Sequence, residues 1–473
     1  MRIRTLLAAT AVAAVLAAPA VAATIKPVVN VVTDKANDLR GVAFTSNGKI
    51  VVSGHAGTET DTRTVVARFN ADGTPDATFG KAGFAEVDLM LGRNEQSLGV
   101  AAMANGDVVV AVNAVDADGG TSVYLLRFDS AGVRKMGPAW GDAEGKVEVT
   151  FGWPNKDNAL FTGANRPADT AWDLQVDRSG GGERLVVFGL GSAAQGSGRT
   201  DTDRYVVRLN GANGNPDATF NGGKPFLFHS AGVLSDNARR GLVEADGAIL
   251  ASGYTGIANG GNHVSLFRLT PAGALDTNFG NFVTPATAAG AAGVTARPGV
   301  AVFNPFLADG GFAETYGVAR LKDGSYVTTG YGQATAVNGT STMGYVPSVQ
   351  PDVVSFRVKG TALDTTWGNK GTVAIQSEGK GKATNEERGR AVVALPDDRT
   401  VHVGRFGGVA AAFVLTPTGQ LDTTEGAGGI IELPNADVDA QFFAVATSAD
   451  GKRIATTTNA HAKGARLVVL DVQ

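Results

Sequence analysis

The chain has 473 residues, 43% hydrophobic and 18% charged, with 17 prolines and no cysteine, a composition that supports a large buried core and excludes bulk disorder, disulfides and thiol chemistry. A formal charge of −4 with no basic runs gives nothing for a phosphate-rich partner to hold, so no nucleic acid is expected. At 64 of 473 residues, glycine stands at about twice its usual share, which calls for many tight turns between many short strands.

Residues 1–23 open with Arg2 and Arg4, run apolar from Leu6 to Ala18 and end in small residues up to Ala23. That pattern is a secretory signal peptide cleaved after Ala22 or Ala23. Its apolar run is shorter than the ~20 residues a bilayer span needs, so a periplasmic or secreted protein without a membrane span is expected. Next comes a β-branched run, Pro27 to Val32. The first repeat unit reads as strand A (Gly41 to Ser46), B (Lys49 to Gly54), C (Val65 to Phe69) and D (Gly83 to Leu89). Asn47-Gly48 joins A to B as a two-residue hairpin turn, in which both residues take positive φ.

The phrase Arg68-Phe69-Asn70-Ala71-Asp72-Gly73-Thr74-Pro75-Asp76-Ala77-Thr78-Phe79-Gly80 then returns along the chain. Units start near Asp38, Gln96, Thr170, Asp236, Glu314, Arg388 and Gln441. A segment near 284–311, rich in Ala and Gly and carrying Val302, Phe303, Phe306 and Leu307, reads as an insertion between units 4 and 5 without regular strand pairing. It would fold over one face as a lid or pack on the side of blade 4 or 5. The seventh unit stops after strand C, and Pro27 to Val32 can supply its missing outer strand. The expected fold is all-β: one domain, 24–473, forming a seven-bladed β-propeller of four-stranded blades, the last closed by the N-terminal strand.

The consensus Arg-Leu-x-x-x-Gly-x-x-Asp-x-x-Phe-Gly-x-x-Gly resembles the delta-sixty repeat family of exported bacterial β-propeller proteins. The likeness spans the chain after residue 23 and is clearest in units 1, 3, 4 and 5. It implies export and a propeller, is tied to no single reaction, and brings no catalytic residues. The recurring Asp76, Asp217, Asp276, Asp364 and Asp422 read as turn residues accepting backbone N–H bonds. Phe79, Phe220, Phe279 and Trp367 read as packing between blades.

The A–B and C–D connections are short and uniform, so a site is expected on the opposite face, where the B–C and D–A connections vary. The ends of strand B place His55, Asn113, Leu190, Tyr254, Tyr331 and Arg405 around that face. The starts of strand A add Arg40, Arg239, Arg240, Glu314, Arg388 and Arg390 near the channel. His55, Tyr254, Tyr331, Arg405, Arg40, Arg240 and Arg388 are the candidate ligand-binding residues. Such a funnel suits an anionic or sugar-like ligand, through guanidinium forks and aromatic faces. The same groups could instead pair with one another and close the channel.

Acidic pairs in the loops (Glu59 and Asp61, Asp116 and Asp118, Asp201 and Asp203, Asp437 and Asp439) raise calcium, but none has the spaced oxygen series of a dedicated loop. No cofactor is expected. His55, His229, His263, His402 and His461 lack zinc spacing, and no nucleophile elbow, Walker loop or dinucleotide fingerprint is present. His402 reads as a buried structural histidine and His55 as the one candidate general base. The sequence thus points to a monomeric, exported, non-enzymatic propeller that binds a protein or glycan on its variable-loop face. The alternative is a propeller hydrolase or lyase acting on a sugar or lactone, with a carboxylate or His55 near the channel.

Overall fold

The computed structural model describes residues 25–33, 36–117, 119–149, 151, 169–193, 199, 201–230, 235–257, 261–284, 296–334, 341, 343–377, 380–382, 386–433, 440–459 and 464–473. The leader, residues 285–295 of the insertion, Asp118, Asp437, Asp439 and His461 lie outside them. Seven sheets follow one another, each with antiparallel strands ordered A–B–C–D and the fourth with one parallel strand added. In blade 1 the strands are Asp38–Phe44, Ile50–Gly57, Thr62–Phe69 and Phe84–Val87. The later A strands are Glu95–Ala102, Thr170–Asp177, Asp236–Val243, Phe312–Arg320, Arg388–Ala394 and Phe442–Thr447. Each A strand contacts the A strands of the blades before and after it, so the seven line a central axis.

The seventh sheet closes as expected. Its outer strand is Ile25–Thr33, antiparallel to Ala465–Val472, with Ile25 opposite Val472 and Thr33 opposite Ala465. The chain then passes straight into blade 1, where Asp38 bridges Asn459 of blade 7.

The A–B turns differ in type from the sequence expectation. Gly48 N–H donates to Thr45 C=O at 3.0 Å and Thr45 N–H to Lys49 C=O at 2.9 Å, and only Gly48 takes positive φ, at 78°. That is a three-residue turn ending in a glycine bulge, so Asn47 needs no left-handed conformation. Where blade 6 lacks the glycine, Asp398 takes the left-handed position itself, at φ 64°.

The repeated phrase is a latch between blades. Arg68, 6% exposed, pairs its Nε with Asp76 at 2.6 Å. Its guanidinium lies 4.8 Å from the Phe79 ring centre, and its Nη1 donates to the Ser130 carbonyl of blade 2 at 2.7 Å. Asp76 also accepts the Thr78 N–H at 3.1 Å, the turn role expected of it. Arg127 and Arg208 reach the Gly211 and Pro271 carbonyls of the following blades at 2.6 and 2.8 Å. In blade 7, Arg453 reaches Ala71 of blade 1 at 2.8 Å. Arg68, Arg127 and Arg208 therefore each spend one edge on a turn of their own blade and the other on the neighbouring blade. Breaking such a buried pair from one side costs about 3–5 kcal/mol, because the remaining charge is stranded.

The segment after residue 296 forms part of blade 4, which corrects the expectation that strands do not pair across it. Val300–Phe303 is that blade's outer strand, with Val264 opposite Phe303, and Phe282–Thr284 adds a parallel fifth strand outside it. Val302, Phe303 and Phe306 are buried because they fill the slot strand D fills elsewhere; Phe303 and Phe306 both pack on Phe356 of blade 5. The insertion thus interrupts the C–D connection of blade 4.

Deleting Lys26 to Thr33 should leave Ala465–Val472 as an open, apolar edge. The expected result is aggregation on size exclusion or a melting temperature lower by about 10 °C or more in calorimetry. Melting like the intact protein would show that blade 7 does not depend on this strand.

Candidate functional site

Every inner strand carries a β-bulge at the same height. The register shifts fall between Leu39 and Gly41, Ser97 and Gly99, Ala171 and Asp173, Ala238 and Gly241, Thr315 and Gly317, Gly389 and Ala391, and Phe442 and Ala444. A bulge leaves its extra residue outside the ladder and re-aims its side chain. The bulged residues are Arg40, Leu98, Trp172, Arg239 with Arg240, Tyr316, Arg390 and Phe443, and these with Gln441 enclose an axial cavity of about 230 Å³. The residue after the bulge is small in every blade but the third, because the neighbouring strand is close. A Cβ on Gly99 would lie 2.7 Å from the Leu174 nitrogen. Blade 3 has Asp173 there, whose carboxylate accepts the Gly241 N–H at 3.1 Å and faces Arg240 at 3.4 Å.

Two residues before each bulge lies a second, wider tier, and the ends of strand B stand opposite it. Asp38 pairs with His55, Gln96 with Asn113, Thr170 with Leu190, Asn237 with Tyr254, Glu314 with Tyr331 and Arg388 with Arg405. Of the strand-A ring read from sequence, Glu314 and Arg388 are therefore cross-strand partners of strand-B ends, whereas Arg40, Arg239, Arg240 and Arg390 are bulged residues of the cavity tier.

The groups differ in how far they are committed. Arg40 pairs with Asp38 at 2.7 Å and lies 4.4 Å from the Phe443 ring centre. Arg240 crosses the axis from blade 4 and donates to the carbonyls of Phe443 at 2.8 Å and Arg40 at 3.2 Å. It floors the cavity and separates it from a second chamber of about 500 Å³ toward the A–B hairpins. Arg239 sits among three rings, 4.2 Å from Trp172, 4.4 Å from Tyr316 and 4.8 Å from Tyr254, and donates to both tyrosine hydroxyls at 3.0 and 3.1 Å. Its Nε is buried without a hydrogen-bond partner among the described residues. Arg390 lies 4.9 Å from Tyr316 and 5.4 Å from Phe443 and donates to Gln441 at 2.8 Å; burial lowers its pKa to about 10, so it stays charged. Among the described residues no carboxylate forms a salt bridge with Arg239 or Arg390. Arg388 and Arg405 share Glu386, at 2.6 and 3.4 Å, and Arg388 lies 5.0 Å from Tyr331.

The mouth therefore has a cationic excess. Glu314, 3% exposed, is pushed above the usual carboxylate range by burial, against the pull of Asn262 and Arg239. Burial also raises Tyr254 to about 12 and raises Tyr331, so their phenols hold their protons. His55 is lowered by burial, with Asp38 opposing and Arg40 reinforcing the shift. His402, 1% exposed, is lowered by burial to about 3 and meets the Thr400 hydroxyl at 2.9 Å, the structural role read for it.

Residues 45–79 and 244–279 match a family model described as a domain of unknown function (DUF5122) β-propeller. Over those two stretches the chain is similar to DUF5122 β-propeller repeats. Both stretches run from the A–B turn to the aromatic residue of the C–D turn, Phe79 and Phe279, so the match lies mostly on scaffold residues and includes one mouth position per stretch, His55 and Tyr254. No curated protein matches the chain. Among solved structures it is similar to the polysaccharide lyase Uly1, at 11% identity and TM-score 0.46 over 93% of this chain and 91% of that one. It is also similar to Sqt1 from Chaetomium thermophilum, at 10% and 0.43 over 92% and 96%. A third is the PQQ-bound aldose sugar dehydrogenase from Streptomyces coelicolor, at 12% and 0.37 over 80% and 94%.

Of the sequence candidates, Arg40 and Arg240 line the cavity. Tyr254 touches it through Arg239, while His55, Tyr331, Arg388 and Arg405 belong to the wider tier. Sequence reading left Trp172, Tyr316 and Phe443 unnamed. Their signal was available: each stands a few residues into an A strand, directly before a small residue or Asp173. Among the described residues, Asp203, His229 and Asp236 form the one group with metal-ligand spacing. Arg199 already pairs with Asp203, and the imidazole Nδ1 lies 3.2 and 3.4 Å from the two carboxylates.

Glu314 gives a pH signature. A carboxyl raised on folding stabilises below its unfolded pKa, about 4.3, and that contribution is lost as pH rises through the folded value. Glu314→Gln should therefore gain stability relative to the parent between pH 5 and 8 in urea titrations. Parallel pH profiles would contradict a buried, protonation-favouring site.

Proposed function

We propose that the protein is an exported, non-enzymatic binding scaffold that takes an anionic group of a protein or glycan partner into the axial mouth on its variable-loop face. The observation that carries this reading is the pair Arg239 and Arg390, two guanidinium groups without a carboxylate partner among the described residues, on the wall of one cavity. Charge-assisted hydrogen bonds from guanidinium to carboxylate, sulfate or phosphate are the strong ones, more so where water is excluded. The aromatic faces are already engaged: Arg239 covers Trp172 and Tyr316, and Arg40 and Arg390 cover Phe443. That leaves N–H donors, rather than a stacking platform for a neutral sugar, as the recognition chemistry on offer. Export is supported by the leader pattern of residues 1–23. A hydrolase or lyase reading is less well supported, since Tyr254 and Tyr331 keep their protons and Asp38 is committed to Arg40.

Calorimetric titration with oligogalacturonate and oligoglutamate, against neutral oligosaccharide and peptide, tests this. The acidic probes should bind, more weakly as salt rises, and Arg390→Gln should weaken binding about tenfold or more, the worth of one charged hydrogen bond. Equal binding of charged and neutral probes, or no effect of Arg390→Gln, would overturn the reading.

A further inference from the structure

Blade 6 departs from the repeat at a position that faces the chain's own beginning. The C–D turns of blades 1 to 5 each bury an aromatic residue: Phe79, Trp140, Phe220, Phe279 and Trp367. In blade 6 that residue is Glu425, with 0% exposure. The turn backbone is the same. Glu425 N–H donates to the Asp422 carbonyl at 3.0 Å and Gly429 N–H to the Glu425 carbonyl at 2.7 Å, as Phe79 does to Asp76 and Gly83 to Phe79, both at 2.9 Å. Only the side chain has changed, from an apolar ring to an acid.

The neighbour explains the change. Elsewhere the aromatic lies against the turn glycine of the next blade: a Cβ on Gly132, Gly273 or Gly419 would come within 3.1, 3.0 or 2.4 Å of Phe79, Phe220 or Trp367. Blade 7 has no C–D turn, because its outer strand comes from the other end of the chain and starts at that corner with Ile25. Glu425 Oε2 accepts the Ile25 N–H at 2.5 Å, while Oε1 accepts from Arg399 Nη1 at 2.7 Å. Ile25, 2% exposed, packs with Phe442, Leu470 and Val414 in the core shared by blades 6 and 7. A fully buried carboxylate is costly unless paired, so its retention where a ring would pack asks for a reason.

We propose that Glu425 is a receptor for the chain's processed amino terminus. Hydrolysis of the peptide bond after Ala22 or Ala23, by water and a signal peptidase, leaves the new carboxylate on the leader and an amine one or two residues before Ile25. That amine takes up a proton, since its ordinary pKa is about 7.7–8.0. The resulting ammonium joins Arg399 as a second cation for Glu425, and proteolytic maturation thereby tightens the closure of the ring. A retained leader would put a neutral amide in the ammonium's place.

Two measurements on the whole propeller test this. In the processed protein, a chain starting at residue 24, acylation of the α-amine at pH 7 should be about tenfold slower in the folded state than in urea, the effect of a pKa raised by one unit. The 473-residue chain with its leader retained should melt about 2 °C or more below the processed chain, and Glu425→Gln, which can still accept the Ile25 N–H, should abolish that difference. An α-amine that reacts equally fast folded and unfolded, or a leader penalty that persists in Glu425→Gln, would overturn the proposal. The acylation arm needs no variant and stands even if Glu425→Gln fails to fold.

Discussion

Seven inner strands packed side by side around one axis leave almost no room for side chains between neighbouring blades, and the rest of the molecule follows from how that crowding is relieved. Directly after the bulge the chain uses glycine or alanine in every blade but the third, and a Cβ on Gly241 would come within 2.0 Å of Phe188 on the neighbouring blade. At one height the chain inserts an extra residue in every blade. The bulge turns a row of packed strands into a ring of side chains that reach into the axis without breaking the sheets. A site built this way inherits the rigidity of seven ladders.

Arginine serves two purposes here, separated by the presence of a carboxylate. In the latches, Arg68 and Arg208 meet Asp76 and Asp217 at 2.6 and 2.7 Å, stack on aromatic rings and bond the next blade. At the mouth, Arg239 keeps the rings but has no acid among the described residues to neutralise it. The first arrangement holds neighbouring blades together at little net charge. The second stores positive potential in a walled space, at the expense of stability.

The architecture was legible because a repeat reports itself: seven hairpin starts, one phrase and one missing strand define a closed ring with little further information. Strand D of blade 4 was not, because eleven residues outside the described structure separate Thr284 from Ala296 and displace Val300–Phe303 far from its phrase. The mouth was half legible. Residues at strand ends, such as Tyr254 and Arg388, could be counted from the turn. At the bulges the arginines stood out by their charge, whereas Trp172, Tyr316 and Phe443 passed for core residues, because a bulge shifts the inward–outward alternation by one and reverses which residues face the axis. The A–B turn was read as the right signal with the wrong geometry, since Asn-Gly serves a glycine bulge as well as a two-residue turn.

Ile25 bonds to a residue 400 positions further along the chain, and the strand it begins pairs with the last strand to be made. Blades 1 to 6 are each assembled from contiguous stretches and can form as the chain emerges. Blade 7 cannot, so the first strand out waits as a free edge through the synthesis or translocation of everything else. Folding therefore has one late, entropically expensive loop closure set against many early local ones. The interval before that closure is when this chain is most exposed to self-association and to proteolysis.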